Sequence, residues 1–208
     1  MEVTKYLLDL APEDLEHAND TGYRALMAAA LFGHDDIVRA LLDAGAFINA
    51  LNANGEYALY FAADRGHAST VRLLIERGSL FKEKDGYGWD PLLAASFEGH
   101  VSVAEELLRH GMLLRHSRLP ETGANPLYLA AERNHVPLLR YFLSLPKADL
   151  NSPNDNGASA LFIAAQLGNV EAVRCLLEHE QLDLEYCTKV GTTPLSVALQ
   201  NNRNQCAL

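Results

Sequence analysis

The sequence predicts an all-α solenoid, in which helix-turn-helix units stack side by side and short hairpin-like fingers join them. Three observations carry that prediction. A glycine recurs at Gly22, Gly55, Gly88, Gly123, Gly157 and Gly191, and a leucine follows each one four residues later, at Leu26, Leu59, Leu92, Leu127, Leu161 and Leu195. The intervals between these glycines are 33, 33, 35, 34 and 34 residues. A pair of small residues keeps the same period (Ala29-Ala30, Ala62-Ala63, Ala95-Ser96, Ala130-Ala131, Ala164-Ala165), and so does an apolar pair (Leu41-Leu42, Leu74-Ile75, Leu107-Leu108, Phe142-Leu143, Leu176-Leu177). Several features that hold one period along most of the chain indicate a repeat architecture, in which each unit contacts its neighbours and no unit buries its apolar face alone.

Each element of the unit follows from its residues. The first helix runs from the leucine to the small pair, whose missing side-chain bulk lets a neighbouring helix approach closely. It ends at Gly33-His34, Gly66-His67, Gly99-His100, Asn134-His135 and Gly168-Asn169, because glycine accepts the left-handed backbone that stops a helix. The second helix carries apolar residues at i, i+1, i+4 and i+5, as in Ile37, Val38, Leu41 and Leu42, which form one face of a 3.6-residue period. Gly45, Gly78 and Gly111 close it, and a polar finger leads to the next unit. The predicted repeats are 19–51, 52–84, 85–119, 120–153 and 154–187, flanked by half repeats 1–18 and 188–208, all within one domain. Val3, Leu7 and Leu8 match a second helix with no first helix before it, and Pro194 to Leu199 start a first helix with no second helix after it. These abrupt ends are expected of a segment of a longer protein.

Composition narrows the function classes. Of 208 residues, 49% are hydrophobic, which excludes a disordered acidic tail. The net charge of −10 argues against nucleic-acid binding, where Lys and Arg must displace counterions from phosphates. The longest obvious apolar run, Ala25 to Phe32, is far shorter than the roughly 18 residues of a membrane span. Three cysteines, Cys175, Cys187 and Cys206, suit reduced thiols in a cytoplasmic or nuclear protein. His34, His67, His100 and His135 occupy one position in successive units, too far apart for one metal ion, and are expected as turn residues whose rings satisfy backbone groups. Arg109, His110, Arg115, His116 and Arg118, in the longest finger, are expected as solvated surface or else as a contact for an acidic partner segment, and the acidic pairs Asp35-Asp36 and Glu105-Glu106 as complements of helix N-terminal dipoles. No phosphate loop, nucleophile elbow or H-E-x-x-H motif is present, so no catalysis, cofactor or metal is expected.

Gly88-Trp-Asp-Pro-Leu92, Gly123-Ala-Asn-Pro-Leu127 and Gly191-Thr-Thr-Pro-Leu195 resemble the G-x-T-P-L signature of the ankyrin repeat family, and the resemblance extends over essentially the whole chain. The family's usual Thr is replaced by Arg24, Tyr57, Asp90, Asn125 and Ser159 and kept at Thr193, and its usual His is Met27, Tyr60, Leu93, Tyr128, Phe162 and Ser196. The Thr-to-His bonding of idealised repeats is therefore absent. Asp90, Asn125, Ser159 and Thr193 are suited to cap their helices, whereas Arg24 and Tyr57 are not, a difference of about 1 kcal/mol each.

The resemblance implies a concave binding face built from finger tips and the exposed side of the first helices. On this sequence that face takes in Trp89, Tyr87, Phe97, Tyr23, Phe32, Asp64, Arg65, Glu98 and Arg133. The expected function is a monomeric, non-catalytic interaction module for a protein segment of basic or mixed charge. Two alternatives are a regulatory or substrate-docking domain of a larger enzyme and a free-standing protein inhibitor. A weaker resemblance, around Asp149-Leu150-Asn151, is to the pattern modified by the asparaginyl hydroxylase of ankyrin repeats; the plainer expectation is that Asn151 hydrogen-bonds across a turn.

Overall fold

A computed structural model describes residues 12–146 and 149–207, so the helix expected around Val3 to Leu8 lies outside the described residues. These gather into two compact units. The first holds the described residues up to Ala95 together with Ser102–Met112, the second Ser96–Val101 together with the residues from Leu113 onward. The boundary runs through helices α5 (Pro91–Glu98) and α6 (Val101–Arg109).

In the first unit, α1 (Ala25–Leu31) and α2 (Asp35–Asp43) form one helix pair, and α3 (Ala58–Asp64) and α4 (Ala68–Glu76) the next. First helix packs on first helix and second on second. The close approach of α1 and α3 depends on Ala29, Ala30, Ala62 and Ala63, all buried, while Leu26, Leu59, Val38, Leu41, Val71 and Leu74 fill the space between layers. In the second unit, α7 (Pro126–Glu132), α8 (Val136–Ser144), α9 (Ala160–Leu167), α10 (Val170–Leu177) and α11 (Pro194–Gln200) repeat the arrangement, with Phe142, Leu138, Leu139 and Leu176 in its core. The last repeat differs from expectation. A one-turn helix α12 (Asn204–Ala207) follows α11 and packs against both α10 and α11, where no partner helix was expected. The repeat leucines Leu26, Leu59, Leu92, Leu127 and Leu161 are buried, but Leu195 is 53% exposed, because no described helix covers the outer side of α11.

The fingers are hairpin turns, and the described residues contain no strand. Four of them open on an Asn or Asp side chain that holds its own loop. Asn52 Oδ1 accepts the amides of Asn54 (3.0 Å) and Glu56 (2.9 Å), and Asn19, Asp85 and Asn154 do the same in their fingers. This is the Asx-turn mechanism. Successive fingers are then joined by one backbone bond each: Ala53 N–H to Thr21 O (2.8 Å) and Gly86 N–H to Asn54 O (2.7 Å) in the first unit, Asp155 N–H to Thr122 O (2.8 Å) and Lys189 N–H to Asn156 O (3.0 Å) in the second.

The helix ends are also tied across repeats. A helix leaves its last carbonyls without intrahelical partners. The His67 ring lies with Nε2 3.0 Å from Leu31 O, at the end of α1, and His135 Nε2 lies 2.8 Å from Phe97 O. A carbonyl only accepts, so Nε2–H is the donor in both. Asn169, where other units have histidine, donates to Ala131 O (2.9 Å) and Glu132 O (2.8 Å). The preceding residue makes room for the ring. A Cβ on Gly33 would stand 2.5 Å from His67 Nδ1, and one on Gly99 would stand 2.6 Å from His135 Nδ1. The glycine of Gly-His thus serves its own turn and the ring of the next unit.

The capping expectations hold: Asp90, Asn125, Ser159 and Thr193 each accept amides of the helix they precede, whereas Arg24 and Tyr57 make no side-chain cap. Arg24 and Tyr57 act between repeats instead. Arg24 Nη1 donates to Leu51 O (3.0 Å) and the Tyr57 hydroxyl to Glu83 O (3.2 Å), while Asn125 Nδ2 reaches Ser152 O (3.1 Å) from the same repeat position. These bonds stand where the Thr-to-His bonding is missing.

The double role of Gly33 is testable against Gly45, which also has positive φ (+97°) but has open space around a Cβ. Gly45→Ala should cost roughly 1 kcal/mol of left-handed strain. Gly33→Ala should cost at least about twice that, because the His67 ring must also leave Leu31 O. Urea unfolding of the two variants measures the difference, and equal midpoints would show that the ring contact contributes nothing.

Candidate functional site

Finger tips and the ends of first helices carry the residues singled out by the sequence, and each unit holds its own group of them. In the first unit the Tyr23 ring meets Phe61 edge-on, with centroids 5.1 Å apart and planes at 73°, and Phe61 meets Tyr60 at 6.0 Å and 84°. Asp64 and Arg65, at the end of the same α3, form an ion pair at 3.2 Å. The Tyr23 hydroxyl oxygen is buried with no hydrogen-bond partner among the described residues, and burial followed by the Glu56 carboxylate pushes its pKa up. Burial likewise raises Tyr60, with Asp85, Asp64, Glu56 and Asp90 all adding to the rise.

Tyr87 and Trp89 share the third finger. Tyr87 is 66% exposed and Trp89 is partly buried, and both of their amides are held by buried Asp85 Oδ1 at 2.9 and 2.8 Å. Phe32 is 63% exposed and lies along the His34 ring. In the second unit the Arg133 guanidinium sits over the partly buried Phe97 ring, 4.2 Å from its centroid, a cation–π contact. Glu98 follows Phe97 and is exposed. Nearby, burial pushes Tyr128 up to about 12 and raises the Glu132 carboxyl.

The structure thus brings Tyr23 beside α3, pairs Asp64 with Arg65, places Tyr87 and Trp89 on one finger and lays Arg133 over Phe97. Sequence reasoning missed Tyr60 and Phe61. The available signal was spacing, since Phe61 lies three residues before Asp64 and Tyr60 four, one turn away on the same helix face.

Two sequence patterns decide the family. The pattern described as "Ankyrin repeats (3 copies)" matches residues 81–154 and 127–208, and that described as "Ankyrin repeats (many copies)" matches residues 25–75. The chain belongs to the ankyrin repeat family. Its fold is similar to the crystal structure of the human ASB11 ankyrin repeat domain, with a TM-score of 0.82 and 25% sequence identity, covering 95% of this chain and 90% of that one.

Within this ankyrin array, other chemistry-bearing groups have structural partners. Asn151 Nδ2 donates to Gln181 O (3.0 Å) and its Oδ1 accepts from the Asp183 amide (2.9 Å), so it ties its repeat to the loop of the next one rather than bonding across its own turn. Cys175 is buried, and burial raises its thiol pKa. Among the described residues no three His, Cys, Asp or Glu side chains are grouped to hold a metal, and no helix is long and apolar enough to cross a membrane. The basic residues near the long finger divide. Arg118 is partly buried and donates to Gly123 O, Pro153 O and Ser152 Oγ, whereas Arg115 and His116 are exposed.

The acidic pairs divide as well. Asp35 and Asp36 stand in the first turn of α2, where the dipole argument applies. Glu106 lies in the latter half of α6, where it does not, and its side chain is only 5% exposed. Glu106 Oε1 accepts from Arg72 of the preceding repeat and from Arg109, each at 2.6 Å, and His110 Nε2 is 3.8 Å from Oε2. The Arg72 hydrogen bond is the main cause that holds this carboxyl below the usual glutamate range, against the opposing effect of burial.

A carboxylate with a depressed pKa stabilises the fold above its unfolded pKa and loses that contribution as pH falls through the folded one. Glu106→Gln should therefore lower stability at pH 7 by about 1–2 kcal/mol. The gap from the parent should persist down to pH 5 and narrow below the ordinary glutamate pKa of about 4.3. Thermal melts across that range read the gap, and a gap independent of pH would remove the carboxylate charge from the explanation.

Proposed function

We propose that this chain is a non-catalytic interaction module that takes a protein segment of basic or mixed charge on its finger tips and first-helix ends. Ankyrin repeats generally serve as protein–protein interaction modules, and membership of that family supports the general reading. The particular surface rests on one observation: the third finger presents exposed Tyr87 beside Trp89 on a loop already fixed by Asp85. Aromatic anchors on a pre-ordered loop bury large area with little loss of chain freedom, as binding hot spots do. In the first unit Asp64, Arg65, Tyr23 and Phe32 add charged and apolar side chains to that surface, and in the second Phe97, Glu98 and Arg133 form a group of their own.

The partner's charge follows from the carboxylates near α3 and from the chain's net charge of −10. Complementary charge accelerates encounter and disfavours acidic competitors more than it raises affinity.

Capture from an extract of the source cells, with the tagged chain as bait, tests the surface. Tyr87→Ala and Trp89→Ala should each reduce recovery of the captured protein by about tenfold, a typical hot-spot loss. Their melting temperatures should stay within a few degrees of the parent. Undiminished capture by both folded variants would remove this finger from the interface, and unfolding of Trp89→Ala alone would make that residue structural.

A further inference from the structure

Asparagine followed by glycine is chemically labile, because glycine has no side chain to keep its amide nitrogen away from the asparagine carboxamide. The chain contains two such pairs, Asn54-Gly55 and Asn156-Gly157, and each forms the tip of a finger. The fold requires the glycine in both. Gly55 and Gly157 have φ of +76° and +82°, and a Cβ would stand 2.9 Å from Gly86 N at the first and 3.0 Å from Lys189 N at the second. The close approach of the next finger thus excludes the side chain that would protect the asparagine.

The two tips hold their asparagines differently. Both residues are exposed. Asn54 Nδ2 donates to Glu56 Oε2 (3.4 Å), and Asn54 O accepts the Gly86 amide at 2.7 Å. The Asn156 carboxamide has no hydrogen bond among the described residues, and Asn156 O accepts the Lys189 amide at a longer 3.0 Å. Asp85-Gly86 is the related acidic pair, and it is locked. Asp85 is buried with its Oδ1 holding the amides of Tyr87 and Trp89, and the Gly86 N–H is bonded to Asn54 O.

We propose that Asn156 is a self-modifying site that converts to isoaspartate, the product accepted by carboxyl methyltransferases that use S-adenosylmethionine. The Gly157 amide nitrogen loses its proton and bonds to Asn156 Cγ, the Cγ–Nδ2 bond breaks, and ammonia leaves a cyclic succinimide. Water then opens the ring. Attack at the main-chain carbonyl frees an α-carboxylate and routes the chain through Cγ, which is isoaspartate; attack at Cγ gives aspartate. Nothing is oxidised or reduced, and water is the sole co-reactant. The attacking nitrogen must first leave Asn154 O, to which the Gly157 N–H donates at 3.0 Å. Asn154 Oδ1 opposes that opening by holding the amides of Asn156 (3.0 Å) and Ala158 (2.9 Å). The rate therefore reads local opening of this finger. The product carries one more negative charge and one more main-chain carbon at the tip.

The test incubates the full chain in mildly alkaline buffer, folded and in guanidinium chloride, and follows each site by peptide mapping. Unfolded, the two Asn-Gly pairs should convert at similar rates. Folded, both should slow, with Asn156 ahead of Asn54 by about threefold or more and Asp85 unchanged. Asn154→Ala should speed conversion at Asn156 about fivefold or more, since the bonds that close the turn are lost. A purified isoaspartate methyltransferase with labelled S-adenosylmethionine should place its label on the Asn156 peptide, and Asn156→Gln should abolish that label.

Equal conversion of Asn54 and Asn156 in the folded chain, a rate at Asn156 unmoved by Asn154→Ala, or a product that takes no methyl label would overturn the site. If Asn154→Ala fails to fold, the folded-against-unfolded comparison of the parent chain still decides.

Discussion

Carbonyls at the ends of four first helices, α1, α5, α7 and α9, accept from the repeat that follows rather than from their own. His67 serves Leu31 O, His135 serves Phe97 O, Asn169 serves Ala131 O and Glu132 O, and Asn201 Nδ2 reaches Gln166 O at 3.3 Å. Burial of apolar area drives the helices together but is indifferent to register. Hydrogen bonds are directional, so these fix how far each repeat sits from its neighbour. The finger-to-finger backbone bonds fix the same spacing at the other end of the first helices. Within each unit, these two sets of ties hold the first-helix faces they join at set intervals, which gives exposed side chains on those fingers and helix ends defined positions.

The fold was legible because its cause is periodic. Glycine, the small pair and the apolar pair recur at the interval of the structural unit, and the buried alanines and leucines lie where that period puts them. The short helix Asn204–Ala207 was not legible, because its sequence repeats nothing earlier in the chain. The ties between repeats were half legible. Histidine at the turn announced a ring that satisfies backbone, but which carbonyl it meets depends on the stacking. Arg24 and Tyr57 read as poor caps, and they are; their reach to Leu51 O and Glu83 O is a property of two repeats together.

The candidate site was less legible for the same reason. Tyr87 at a finger tip could be read directly, since a hairpin tip is exposed in nearly any packing. Phe61 could not, because its position in the first helix is apolar in many units and only the stack leaves part of its ring uncovered beside Tyr23. Glu106 illustrates the converse error. An acidic pair on a helix suggests a dipole or solvent, yet this carboxylate is buried because Arg72 reaches it from the repeat before. Single-helix rules describe a residue's own element well, and repeat proteins place much of their polar chemistry in the gaps between elements.

The ties that set the spacing also set the range of the interactions in sequence. The inter-repeat hydrogen bonds described above join residues from 26 to 38 positions apart. No pairing of distant termini is required to complete them, so the entropy lost in closing each junction is that of one repeat-length loop. Chains whose contacts are short in range fold quickly for their size, and order can begin at any helix pair and spread in both directions. Growth from a short stack of neighbouring repeats, rather than closure of the whole chain, is the route to the native array that this contact range favours.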